Sequence, residues 1–303
     1  MFSISTCKKM AKQQMKNHSK VLISASIACF LINTVLHTTE AALAGSNGLL
    51  AQIVSLVSFC VSSLLPIAYF CVCVKLAKTN SASFSDFTDG LTLFKSGILG
   101  TLWHGLWIFL WSLIFIIPTG IITGLLFATV LTTKFNVTQI DPNNIPVEEI
   151  MNEVIRNISN YSGIVVFIIL GFIGLCVVMI IKSIQYSQMT VILAEASLEN
   201  RDMPVTKAMT LSIELTKGHK MKIFTFFLSF IGWYFVSLIP VILVSLFRNT
   251  ITNSFIYALI LTAAMGLSIA FITPYMATSF VNLYGHLKQQ AINTKQLSLK
   301  DFE

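Results

Sequence analysis

Ile164–Ile181 reads IVVFIILGFIGLCVVMII, eighteen residues without a single charge. A helix needs about 20 predominantly apolar residues to cross a hydrocarbon core about 30 Å thick. The run is continuously apolar rather than alternating, as a transmembrane barrel strand would be. It therefore reads as a membrane-crossing helix, and lipid is its solvent. Working outward, five further stretches have the same character: Val21–His37, Leu49–Val74, Ile98–Thr132, Ile223–Leu246 and Phe255–Leu283. The expectation is an all-α fold, a polytopic transmembrane helical bundle of about six spans occupying residues 21–288.

Composition agrees. Of 303 residues, 55% are hydrophobic and 11% charged, 23 are Phe, and the mean hydropathy is +0.78. A soluble domain carries roughly 25% charged residues to wet its surface. The net charge of +7 sits in short segments that flank the apolar spans. Anionic cytoplasmic headgroups are the partner this pattern implies, and nucleic acid is not.

Lys and Arg placement sets the orientation. With the N-terminus inside, the inner segments hold seventeen basic residues: Lys8, Lys9, Lys12, Lys16, Lys20, Lys75, Lys78, Lys95, Lys182, Arg201, Lys207, Lys217, Lys220, Lys222, Lys288, Lys295 and Lys300. The outer segments hold three, Lys134, Arg156 and Arg248. Both termini are thus expected in the cytoplasm, with residues 1–20 a basic N-terminal segment and 289–303 a cytoplasmic tail. Ala42–Leu43–Ala44 after the first apolar stretch also resembles a signal-cleavage site. Cleavage would leave five spans, and an uncleaved anchor is the reading adopted.

The third stretch, 98–132, would make about 52 Å of helix at 1.5 Å per residue. Two crossings would put the basic segment between the fourth and fifth spans outside. One tilted helix kinked around Pro118 is expected, because proline removes a helical hydrogen bond; a partly re-entrant course is the alternative. Residues 136–161 read as an outer acidic loop. On the inner side, 204–217 reads as an amphipathic helix. Val205, Ala208, Met209, Leu211, Ser212, Ile213 and Leu215 share one face, and Thr206, Lys207, Thr210, Glu214 and Lys217 the other. Such a helix lies along the membrane surface or against the ends of the bundle.

Little chemistry is written in the chain. All thirteen acidic residues fall outside the apolar cores, which argues against a carboxylate-based proton relay or ion-coupled site. No HExxH, CxxC, G-x-S-x-G or phosphate-cradling glycine loop occurs, so no cofactor and no enzymatic activity are expected. The six cysteines avoid the outer loops and imply no disulfide framework. Glu148, Glu149 and Glu153 form a small acidic face, either solvated or able to attract a cation or a basic peptide. His104 lies beside Trp103, Trp107 and Trp111, and two readings stand open. One is a ligand site with stacking faces and a titratable imidazole; the other is an interfacial aromatic ridge at i, i+4, i+8. Polar span residues such as Asn33, Gln52, Gln188 and Asn282 line a path or glue helices together. Gly120, Gly124, Gly171 and Gly174 could allow close helix contact.

Several runs resemble one family. Tyr186–Met189 with Ile192–Glu195 looks like its "YSM…yILA" segment. Leu228–Trp233 (LSFIGW) and Pro274–Tyr275 are similar to its most specific parts. Leu110–Leu113 with Ile116–Pro118 resembles its "LW-x-L…IIPG" signature, with Thr119 in place of the usual Gly. The resemblance spans roughly residues 84–290 and is to domain-of-unknown-function family 975, bacterial integral membrane proteins common in Gram-positive species. It implies a multi-pass cell-membrane protein of bacterial source and brings no catalytic residues. It singles out Glu195, Trp233, Pro274 and Tyr275, which join His104, Trp107, Trp111 and Pro118 as candidate functional or hinge positions.

The function expected is non-enzymatic: binding, accessory action or protection of the membrane, with a protein or peptide partner at the inner loop 200–222. The alternative is a transporter or channel for a small or lipid-like substrate.

Overall fold

A computed structural model describes residues 3–43, 48–134, 148, 152, 155, 156, 158–248, 250 and 253–302. Its helices are α1 (Ile4–Leu43), α2 (Leu49–Thr79), α3 (Phe84–Leu91), α4 (Phe94–Lys134), α5 (Ile158–Tyr186), α6 (Met189–Leu198), α7 (Val205–Thr216), α8 (Lys220–Leu228), α9 (Ile231–Leu246) and α10 (Ser254–Asn293). A 3₁₀ turn, Leu299–Phe302, follows. No strand occurs among the described residues. Among the described residues, six helical stretches are long and apolar enough to cross a membrane: Ile4–Leu43, Leu49–Thr79, Phe94–Val130, Ser162–Leu198, Lys220–Leu246 and Ser254–Asn293. The expected all-α fold with six spans is the fold observed.

The chain forms two compact units, Met1–His104 with Ile184–Glu303, and Gly105–Ser183. In the first, α2 is the central helix: Leu64, Leu65, Ile67, Ala68, Val72, Cys73 and Leu76 are all buried. It meets α1, α3, α6 and α10, and α1 packs chiefly on α10. Polar span residues act here as cross-links. Ser62 Oγ donates to Asn33 Oδ1 at 3.0 Å, and Tyr69 Oη to the Leu22 carbonyl at 3.2 Å. Such bonds matter because lipid gives no hydrophobic drive to helix association.

In the second unit, the Gly105–Lys134 part of α4 packs against α5. Phe115 faces Gly174, and Thr119 faces Gly171, so the two helices run antiparallel. A Cβ at Gly174 would lie 2.5 Å from the Phe115 ring, whereas Gly120 and Gly124 have open space. Of the two glycine pairs, only Gly171 and Gly174 mediate close approach. The outer face of α5, including Val166, Phe167, Leu170, Phe172 and Ile173, is exposed as a lipid-facing surface would be.

Several boundaries differ from expectation. The basic residues before 20 are not a separate segment: they form the first turns of α1, which bends at His18 (φ −129°, ψ 27°). Cys7 and Ala11 of that arm are fully buried. The fifth span, expected over 223–246, is two helices, with the turn Ser229–Phe230 between α8 and α9. The third stretch is one helix, Phe94–Lys134, that continues through Pro118. Proline within a spanning helix is tolerated because neighbouring groups re-satisfy the freed carbonyl. The tail is not loose either. α10 reaches Asn293, and Leu297 and Phe302 fold back into buried positions. Most of the acidic loop 136–161, with Glu149 and Glu153, lies outside the described residues.

Candidate functional site

The richest polar assembly sits where α2 ends. Asn80 adopts a left-handed conformation (φ 51°) and stops α2. Ser83 and Asp86 then open α3 as a reciprocal capping box, satisfying two amides that a helix start leaves unpaired. Gly90 lets α3 fold back on α2, since a Cβ there would lie 2.6 Å from the Ala68 Cα. Lys75 Nζ reaches Asp86 Oδ1 at 2.5 Å and ties the two helices together.

One turn further along, Lys78 Nζ lies 2.6 Å from Glu195 Oε1 and also pairs with Glu199. The other oxygen of Glu195 receives Lys288 Nζ at 2.7 Å and the hydroxyl of Tyr284. Glu195 is only 4% exposed, so this carboxylate is viable inside the protein because two ammonium groups and a phenol surround it. Arg201 completes the group by pairing with Glu199. Helices α2, α6 and α10 are thereby locked at one end. A cavity of about 300 Å³ opens beside them, lined by Met10, Lys78, Glu195, Tyr284, His286 and Lys288 among others.

α7 closes over this end. Its buried residues are Ala208, Met209, Leu211, Ser212, Leu215 and Thr216, while Thr206, Thr210 and Lys217 are exposed. Of the face read as apolar, Ala208, Met209, Leu211, Ser212 and Leu215 are buried and Val205 and Ile213 half-buried. Pro204 is the cap residue rather than the first helical one, and Gly218 (φ 79°) follows the last turn. Ser212 is a stitch: its hydroxyl donates to the Gln185 carbonyl at 2.7 Å and accepts the Gln188 amide at 3.1 Å. The tail adds Gln296, whose side-chain amide donates to the Glu214 carbonyl at 2.8 Å. The arm of α1 docks through Gln14 and Asn282, whose carboxamides pair reciprocally at 2.9 and 3.4 Å.

The charges outside the spans respond to this packing. Burial pushes the Asp86 carboxyl up, but the bonds from Lys75 and Ser83 outweigh it and hold the group below its usual range. Glu199 follows the same pattern, with Lys78 and Arg201 overcoming burial. These are fixed ion pairs. Among the described residues no three His, Cys, Asp or Glu side chains converge to hold a metal ion.

The candidate residues fall into four groups. Trp233 and Tyr275 meet edge to face at 5.4 Å, and Phe230 meets Tyr275 at 5.4 Å, beside buried Pro274. This cluster sits at the α8–α9 joint, where Lys8 Nζ donates to the Ser229 carbonyl at 2.8 Å and covers the Phe230 ring. Glu195 lies in the ion-paired end just described. His104 belongs to the first unit, edge-on to Tyr186 at 5.8 Å, whereas Trp107, Trp111 and Pro118 belong to the second. Trp111 lies under the ammonium of Lys182, 3.5 Å from its ring centre. The sequence reading missed Lys78 and Lys288 as partners of Glu195, having counted them only as orienting charges.

A family model described as "Protein of unknown function (DUF975)" matches residues 1–291. The resemblance noted over 84–290 therefore extends through the first two spans. No curated protein and no solved structure matches the chain.

Proposed function

We propose that this chain, which belongs to the DUF975 family, is a non-enzymatic binding or accessory protein of the bacterial cell membrane. In this reading six spans anchor it, and both termini face the cytoplasm with the ion-paired end of α2, α3, α6, α7 and α10. The observation that carries the reading is the Glu195 clamp. A buried carboxylate held by Lys78, Lys288 and Tyr284 builds a rigid platform between spans, where a transporter would need groups free to change partners. Among the exposed positions of the 200–222 segment, Thr206, Thr210 and Lys217 offer a polar docking face for a protein or peptide. Exposed Lys9, Lys16 and Lys20 meet anionic headgroups.

Transport is the competing reading, and the polar span residues speak against it. Asn33 bonds Ser62, and Asn282 bonds Gln14, so these amides are spent on helix contacts rather than a path. The test is reconstitution in sealed vesicles together with in-cell cross-linking from positions 206, 210 and 217. Cross-links to one protein at fixed stoichiometry, with no solute flux, support the proposal. Saturable flux of a solute through the purified protein overturns it.

A further inference from the structure

Beside the start of α4 lies a cavity of about 240 Å³, bounded also by α2 and α6. It is not a fault of loose packing. α4 touches its neighbours at two glycines: a Cβ at Gly97 would come within 2.7 Å of the Leu64 side chain, and one at Gly100 within 3.2 Å of Leu193. The helices are thus in close contact on one side of the space and stand apart on the other.

The lining has two chemistries. Pro66, Ile67, Met189 and Leu193 supply apolar walls. Ser63, Ser96, Thr101 and Thr190 supply hydroxyls, and His104 supplies an imidazole. No charged side chain lines the space. A bare cation or anion would have no counter-charge there and would bear the full cost of desolvation. His104 Nε2 is buried and lacks any hydrogen-bond partner. Leaving such an atom unsatisfied is unfavourable, so the fold is complete only when something bonds to it. An apolar cavity of about 150 Å³ accommodates benzene. This one is larger, and the residue that carries the unpartnered Nε2 is part of its lining.

We propose that this cavity binds a small uncharged amphiphile, a single ring or short branched chain carrying one hydroxyl, with that hydroxyl bonded to His104 Nε2. The apolar body lies against Pro66, Ile67, Met189 and Leu193, and the threonine hydroxyls take up the remaining polarity. The site is independent of the docking face proposed above.

Phenol and benzene are the probes, because they differ by the one group the site should read. The full chain is placed in lipid nanodiscs with ¹⁵N-labelled histidine, and the His104 Nε2 resonance is assigned among the five histidines by its loss in His104→Phe. Phenol is expected to move that resonance saturably, and benzene to bind about tenfold more weakly, the equivalent of one net hydrogen bond. Thr101→Val and Thr190→Val preserve shape, and are expected to weaken phenol binding while leaving benzene binding unchanged. They keep the question answerable if His104→Phe fails to fold. A linear, unsaturating response equal for the two probes means a cavity filled by water alone and overturns the proposal. So does phenol binding that is indifferent to both threonine substitutions.

Discussion

Lys288 Nζ lies 2.7 Å from Glu195 Oε2, joining the last turns of α10 to α6 across 93 residues of sequence. The same oxygen accepts the Tyr284 hydroxyl, and the second oxygen accepts Lys78 from α2. Three helices therefore share one carboxylate, and the clamp is as strong as that carboxylate is charged.

Glu195→Gln keeps the shape and removes the charge. Lys288 is 18% exposed and Lys78 38%, so water compensates the second better than the first. We expect a loss of about 1–3 kcal/mol, seen as a lower thermal midpoint in nanodiscs. Adding Lys288→Gln should cost less than the sum of the two single changes, because the ammonium is no longer stranded. Additive losses would show that the pair does not couple.

Asp86 predicts a pH dependence. Its folded carboxyl is depressed below the ordinary value, so the unfolded chain binds a proton first as pH falls. The stabilisation is complete above the ordinary carboxylate range and is lost as pH drops through the depressed value. Wild type minus Asp86→Asn, compared from neutral to strongly acidic pH, should show a midpoint difference that shrinks toward zero. A constant difference would place the stabilisation elsewhere than in the ionised carboxylate.

The α4–α5 contact can be probed with matched glycines. Gly174→Ala puts a methyl 2.5 Å from the Phe115 ring and should cost about 1–3 kcal/mol as overpacking. Gly120→Ala meets open space and should be neutral or slightly stabilising through helix propensity. Equal effects at both positions would remove the close-approach account.

The orientation expected from charge is open to labelling. In a background with the six native cysteines replaced, a single cysteine at position 217 should react with an impermeant maleimide only after the membrane is opened from the cytoplasmic side. Reaction in intact cells would invert the topology.

What the sequence made legible depended on the range of the signal. Ile164–Ile181 announces its span by the absence of charge alone, and α7 announces its packed face by a 3.6-residue period. The clamp is invisible at that range. Lys78, Glu195 and Lys288 are each unremarkable locally, and the same two lysines satisfy a positive-inside count whether they face headgroups or a carboxylate. The α8–α9 break escaped because Ser229 and Phe230 carry none of the glycine or proline that ordinarily marks a turn. The helical arm before His18 escaped because its four lysines drew attention, while the residues it buries, Cys7 and Ala11, are small.

The central claim is a membrane-anchored platform that binds a partner at its ion-paired end. Native mass spectrometry of the protein released with its own lipids, as wild type and as Thr206→Glu/Thr210→Glu/Lys217→Glu, tests it most directly. The account expects one protein or peptide at fixed stoichiometry on the wild type and none on the triple variant, with equal thermal midpoints. A wild type that emerges alone, or a partner retained unchanged by the variant, would contradict it.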